Sequence, residues 1–143
     1  MKIAIASDHA GYALKEKVKD LLSKQGVEVT DFGTNNAVDP VDYPDYGRPA
    51  AKSVAQGRHD RAVLVCGTGL GMSLTANRLK GVRGTLCHNA FTAEMARKHN
   101  DSNVLILGAR VTNDAEAAKI VQIWLDTPFE GGRHKRRIDK IEE

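Results

Sequence analysis

Cysteine is scarce in this chain, and aromatic residues make up only 5% of it, so any core must be built from aliphatic side chains. Cys66 and Cys87 are the only thiols among 143 residues. That excludes a disulfide scaffold and leads us to expect a reduced, cytoplasmic setting. No C-x-x-C pair exists, which argues against dithiol redox chemistry. No segment holds the roughly 18 uncharged apolar residues of a membrane span. The opening stretch MKIAIASDH lacks the apolar core and cleavage site of a secretory leader. His9, Cys66, His88 and His99 show none of the short spacings of a zinc site, so no metal is expected. A net charge of +3 is too small to imply nucleic acid as a partner.

What is present is a regular alternation. The length suits one domain over residues 1–143. KIAIAS (2–7) reads as a buried strand. A helix over about 11–25 places Leu14, Val18, Leu21 and Leu22 on one face and lysines on the other, and Gly26 ends it. VEVTDF (27–32) is a second strand. A loop rich in Gly, Asn, Asp and Pro follows, then a helix near 49–56. RAVLVC (61–66) is the third strand, and the helix after its glycine turn is expected to reach about Leu79. A fourth strand lies within 81–89, a helix over 90–98, and a fifth strand over 103–108. The last long helix spans 114–125, and the basic tail reads as a final short helix. The alternation predicts an α/β fold: a three-layer αβα, Rossmann-like sandwich around a five-stranded parallel sheet.

In open parallel sheets, ligands bind beyond the carboxyl ends of the strands. Those ends carry SDH (7–9), CGTGLG (66–71), CHN (87–89) and GAR (108–110). The first and third strands, expected neighbours, deliver Asp8, His9 and Cys66 to one edge. CGTGLG is not a P-loop, because the lysine and its spacing are missing. It is not a dinucleotide fingerprint either, since that needs G-x-G-x-x-G after the first strand. Glycines at 67, 69 and 71 let consecutive N–H groups point outward, and the next helix adds its positive end. Such a nest can hold a phosphate or a developing oxyanion. Cys66, at its mouth, is either a small buried hydrophobe or a thiolate base or nucleophile. Position alone leaves both open. Cys87 has no such turn and reads as packing. GRHKRR (132–137) by itself reads as a solvated basic run. On a helix, however, Arg133 and Arg137 share a face, which suits a phosphate held by guanidinium forks.

Five motifs occur in order: SDHAGYALK (7–15), DYPDYG (42–47), CGTGLGMS (66–73), KHNDSNVLILGAR (98–110) and FEGGRHKRR (129–137). Over essentially the whole chain they resemble the ribose-5-phosphate isomerase B/galactose-6-phosphate isomerase family. The resemblance implies interconversion of ribose 5-phosphate and ribulose 5-phosphate without metal or organic cofactor. Six-carbon aldose phosphates are the alternative substrates, and a non-catalytic phosphosugar-binding module is the alternative class. It implies Cys66 as the base that moves a proton between C2 and C1, assisted by Thr68. The N–H groups of Gly67, Gly69, Leu70 and Gly71 would stabilise a cis-enediolate. His99 would help open the furanose ring, and Asp8 would handle a sugar hydroxyl or the ring-opening proton. His9, Arg133 and Arg137 would hold the phosphate together with Arg110, while Tyr43 and Asn100 would line the sugar site.

His99 ends the helix before the fifth strand, so it belongs near the amino end of the sheet. Cys66 belongs at the carboxyl end. One subunit cannot bring them together. The expectation is therefore a homodimer or dimer of dimers with shared sites, the basic tail (about 129–143) crossing to the neighbour.

Overall fold

The computed structural model describes all 143 residues. Five short apolar runs form the strands β1 (Lys2–Ser7), β2 (Glu28–Asp31), β3 (Arg61–Cys66), β4 (Gly84–Leu86) and β5 (Val104–Gly108). All pair in parallel, in the order β2-β1-β3-β5-β4. Six helices cover the two faces: α1 (Tyr12–Lys24), α2 (Tyr43–Ala55), α3 (Leu70–Ala76), α4 (Ala90–Asn100), α5 (Asp114–Asp126) and α6 (Arg133–Ile141). This is the expected αβα sandwich. No helix is long and apolar enough to cross a membrane.

Strand alternation splits the core in two. Ile3, Ile5, Val63, Val65, Leu105 and Leu107 point towards α1, α4 and α5, where Leu14, Val18, Ile120 and Trp124 meet them. Ala4, Ala6, Leu64, Cys66 and Ile106 point towards α2 and α3, where Ala50, Ala51 and Met72 meet them. Each large aliphatic buried this way stabilises the fold by about 1.5–3 kcal/mol. Trp124 is fully buried, and its indole N–H donates to Ser102 Oγ at 3.1 Å. The Arg61 guanidinium lies 5.0 Å from that ring's centre and donates to the Trp124 carbonyl. Burial, and then the Arg97 charge, lower its pKa to about 10.

Three local expectations need correction. The second helix begins at Tyr43, not near Pro49. Pro44 suits a first turn, whose N–H groups have no helical partner anyway. Pro49 lies inside the helix on its exposed side, where water can satisfy the carbonyl it leaves unpaired. The third helix ends at Ala76 rather than Leu79, because the Asn77 side chain is taken up by β4. Its amide donates to the Gly84 carbonyl at 3.0 Å and accepts the Gly84 N–H at 2.9 Å. Lys15, finally, is not on the solvent face of α1. It is 1% exposed. Its ammonium donates to both Asp31 oxygens, at 2.7 and 2.9 Å, and to the Thr34 carbonyl at 2.7 Å. A buried charge persists only with such partners.

Candidate active site

β1 runs on to β2 on one side of the sheet, whereas β3 runs on to β4 and β5 on the other. The strand order therefore reverses between β1 and β3, and the crevice at that point is where α/β sheets take ligands. Ser7 pairs with Val65 there, so Asp8 and Cys66 emerge side by side. Asp8 is buried, its N–H donates to the Val65 carbonyl at 3.3 Å, and its carboxylate accepts the Gly11 N–H at 2.9 Å. Gly11 is required for this approach, since a Cβ there would stand 2.5 Å from the Val65 oxygen. His9 Nδ1 accepts the Val41 N–H at 3.1 Å. That bond ties down the loop before α2 and puts the neutral ring's proton on Nε2, free for a ligand.

Cys66 is 4% exposed, and its Sγ accepts the Gly69 N–H at 3.2 Å. Gly69 is left-handed (φ 82°) and turns the chain so that this N–H faces back at the sulfur. Thr68 Oγ1 accepts the Leu70 N–H at 3.3 Å. The end of β5 clamps the turn, with the Ala109 N–H on the Cys66 carbonyl and the Arg110 N–H on the Gly67 carbonyl, both at 2.9 Å. The Arg110 guanidinium lies over Gly67, where a Cβ would come within 3.2 Å of it. The Tyr43 ring lies on Gly71, where a Cβ would stand 2.4 Å from the ring. With only seven residues, α3 adds little dipole, so the positive potential comes from the turn's own N–H groups and Arg110.

Asp8, His9, Tyr43, Cys66, Gly67, Thr68, Gly69, Leu70, Gly71 and Arg110 thus gather at one sheet edge. His99, Asn100, Arg133 and Arg137 do not join them. His99 and Asn100 close α4, which leads into the amino end of β5, whereas Cys66 pairs with Gly108 at the carboxyl end. The basic tail packs as α6 on α4 of its own chain, burying His134 and Ile138 and leaving Arg133 and Arg137 exposed. Asn100 lines a separate cleft of about 150 Å³ with Arg83 and Thr85. Thr68, Leu70 and Tyr43, around the buried Cys66 and Asp8, are exposed, so this edge faces solvent.

Cys87 is 1% exposed and burial pushes its thiol above the usual range, in keeping with a packing role. Burial also pushes the Asp31 carboxyl up, but hydrogen bonds from Lys15, Lys19 and the Gly33 N–H outweigh it and hold it below the ordinary value. Two groups escape a reading of the sequence. Lys15 shares the inward stripe of α1 with Val18 and Leu22, three and seven residues on, and that spacing was its signal. The second group is His99, Glu130 and His134, whose ligand-type atoms lie within 4.8 Å of one another. The spacing of four from Glu130 through His134 to the buried Ile138 was the trace it left.

A sheet that presents a thiol, a backbone nest, an imidazole and a guanidinium at its switch point defines a small α/β enzyme built for anionic substrates. The sequence signature of the ribose/galactose isomerase family matches residues 3–141, and the chain belongs to that family. The solved ribose-5-phosphate isomerase B of Clostridium thermocellum superposes with a TM-score of 0.97 at 49% identity, over 99% of this chain and 95% of that one. Ribose-5-phosphate isomerase B of Escherichia coli is 43% identical over 140 residues, covering 98% of this chain and 93% of that one. D-erythrulose-4-phosphate isomerase of Pectobacterium atrosepticum is 39% identical over 141 residues, 99% of this chain and 93% of that one.

Proposed function

We propose that this sugar-phosphate isomerase interconverts D-ribose 5-phosphate and D-ribulose 5-phosphate, with Cys66 as its base. The observation that carries the reading is the Gly69 N–H aimed at Cys66 Sγ inside a glycine nest. A proton beside a carbonyl is weakly acidic, so its removal needs a base and a place for the oxyanion that forms. The turn supplies both within one strand-to-helix connection.

The steps use the chain's own groups. A proton given to the ring oxygen and one taken from the C1 hydroxyl open the furanose, with His99 as donor and Asp8 as acceptor. The Cys66 thiolate then takes the C2 proton, and the C–H electron pair moves to form the C1–C2 double bond of the cis-enediolate. N–H groups from Gly67 to Gly71, apart from that of Gly69, which stays on the sulfur, stabilise its oxygens, and Thr68 assists transfer of the hydroxyl proton from O2 to O1. The Cys66 thiol returns its proton to C1 and leaves the ketose. His9 and Arg110 hold the phosphate with Arg133 and Arg137, and Tyr43 and Asn100 border the sugar. No step calls for a metal or an organic cofactor.

Because His99 and Cys66 lie at opposite ends of one sheet, the reading requires a second copy, its α4 end and α6 arginines reaching over this edge. Leu70 and Leu74 on α3, and Phe91 on α4, support it. They are 61%, 69% and 67% exposed, apolar surface that a second copy would cover.

The test is ketose formation from ribose 5-phosphate in excess chelator, for the wild type and Cys66→Ala. Loss of a general base costs about 10²–10⁴-fold, so turnover should survive the chelator and collapse in the variant. Full turnover in the variant would move the base elsewhere, Asp8 first. A wild type inactive on ribose 5-phosphate but active on allose or galactose 6-phosphate would assign the six-carbon reading instead.

A further inference from the structure

We infer that His134 is a positioning residue for His99, holding that imidazole in the plane from which it acts in ring opening. The inference rests on the proposed function, in which His99 serves that step. The two rings are stacked, with centroids 4.2 Å apart and planes 13° from parallel. His134 is 5% exposed, on the inward side of α6 beside Ile138. His99, on the last turn of α4, is partly exposed and so has a free side from which to meet a ligand.

Neither chelation nor plain core filling accounts for the stack as well. His99, Glu130 and His134 do bring ligand atoms close. A metal–imidazole bond lies in the plane of the ring, however. Nearly parallel rings stacked face to face direct their lone pairs along separate planes, and no single ion lies in both. Core filling, for its part, gives no reason to bury a ring nitrogen, Nε2, that no group of its own chain hydrogen-bonds, with the Glu130 carboxylate oxygen 4.0 Å away. A flat ring against a flat ring does something an aliphatic cannot: it restricts rotation of the partner about its last torsion.

The surrounding charges fit a neutral platform. Burial, the neighbouring His99 and the Arg133 charge push the His134 imidazole below its ordinary pKa, with Arg137 adding to this and Glu130 opposing it. From α4, Lys98 faces the same corner but is taken up by Glu94. A neutral imidazole face beneath His99 tolerates the proton that His99 must carry to the ring oxygen.

The test is a double-mutant cycle. His134→Met fills the space without a flat ring, and His134→Phe keeps one. We expect His134→Met to lose about tenfold in kcat/KM for ribose 5-phosphate in the wild-type background and less than about twofold in the His99→Ala background, where no imidazole is left to position. His134→Phe should stay near wild type. A thermal melt of each preparation reports folding. Equal losses in the two backgrounds, no loss in the wild-type background, or a Phe variant as impaired as Met would each overturn the inference. If His99→Ala itself costs no activity, the His99 reading fails; if it does and the two losses simply add, only the positioning role fails.

Discussion

Gly69→Ala is the substitution that most directly questions the glycine turn. Two costs come from the structure. At φ 82° an L-residue sits in the left-handed region, which costs roughly 1–2 kcal/mol. A Cβ there would also stand 2.4 Å from Leu86 Cδ1, 3.3 Å from Ile106 Cγ2 and 3.3 Å from the Leu107 carbonyl carbon. The leucine tip can swing, but Ile106 and the Leu107 backbone belong to the buried sheet, and overpacking of this kind costs about 1–3 kcal/mol. Gly26→Ala is the control. Gly26 has nearly the same φ, 78°, with nothing within 4 Å of its Cβ position, so it meets the first cost without the second. For a chain of this size 1 kcal/mol moves Tm by about 3–4 °C. Thermal melts should therefore place Gly69→Ala about 3–12 °C below Gly26→Ala, the spread following the range of the overpacking cost. The variant should also lose isomerase activity beyond its loss of stability, because the N–H at Cys66 Sγ shifts with the turn. Equal melting shifts in the two variants would refute the claim that the turn is packed against the sheet.

The Asp31 carboxyl titrates below its ordinary value in the folded chain. It therefore contributes stability that is complete above an unfolded pKa of about 3.9 and is lost as pH falls through the lower folded one. Melts from pH 7 to 3 should show Asp31→Asn well below wild type at neutral pH, with the gap narrowing below about pH 4, and a constant gap would count against the Lys15–Asp31 pairing as its source. Mixing Cys66→Ala with His99→Ala should restore about a quarter of wild-type activity after subunit exchange, because half the dimers are mixed and each mixed dimer has one intact site of two. No recovery despite demonstrated exchange would contradict a site shared between copies.

How much of this was legible beforehand divides along physical lines. The strands were readable because burial on both faces demands continuous apolar runs, as in KIAIAS and RAVLVC. Their carboxyl ends then located the Asp8, His9 and Cys66 edge without any structure. Helix limits were less readable where a competing interaction decided them. Pro49 looks like a start but sits mid-helix, and Asn77 stops α3 only because β4 offers its side chain two partners. Charged and polar side chains on inward faces were hardest. Lys15 and His134 both lie on apolar stripes, but a lysine or histidine is ordinarily read as solvated, and only the folded chain shows what compensates their burial. The separation of His99 from Cys66 was legible, because it follows from strand direction alone.

That separation explains why the thiol stands where it does. Gly69 serves three ends at once: its left-handed turn reverses the chain, its missing Cβ lets the turn lie on Leu86 and Ile106, and its N–H meets Cys66 Sγ. A proton-transfer site also needs shelter, since water competes for the carbanion and weakens every dipole in the nest. The connections beyond the strand ends are short, and the longest, between β2 and α2, is tied down at His9 and spans only residues 32–42. Nothing in one chain extends over Thr68, Leu70 and Tyr43, all of which are exposed. Under the proposed function, the groups this edge lacks, an acid for the ring oxygen and further cations for the phosphate, are those that α4 and α6 would bring from the other end of a second copy's sheet. A second copy laid across the edge would supply the acid, the cations and the roof together, and under the proposed function assembly is then a condition of catalysis and not an addition to it.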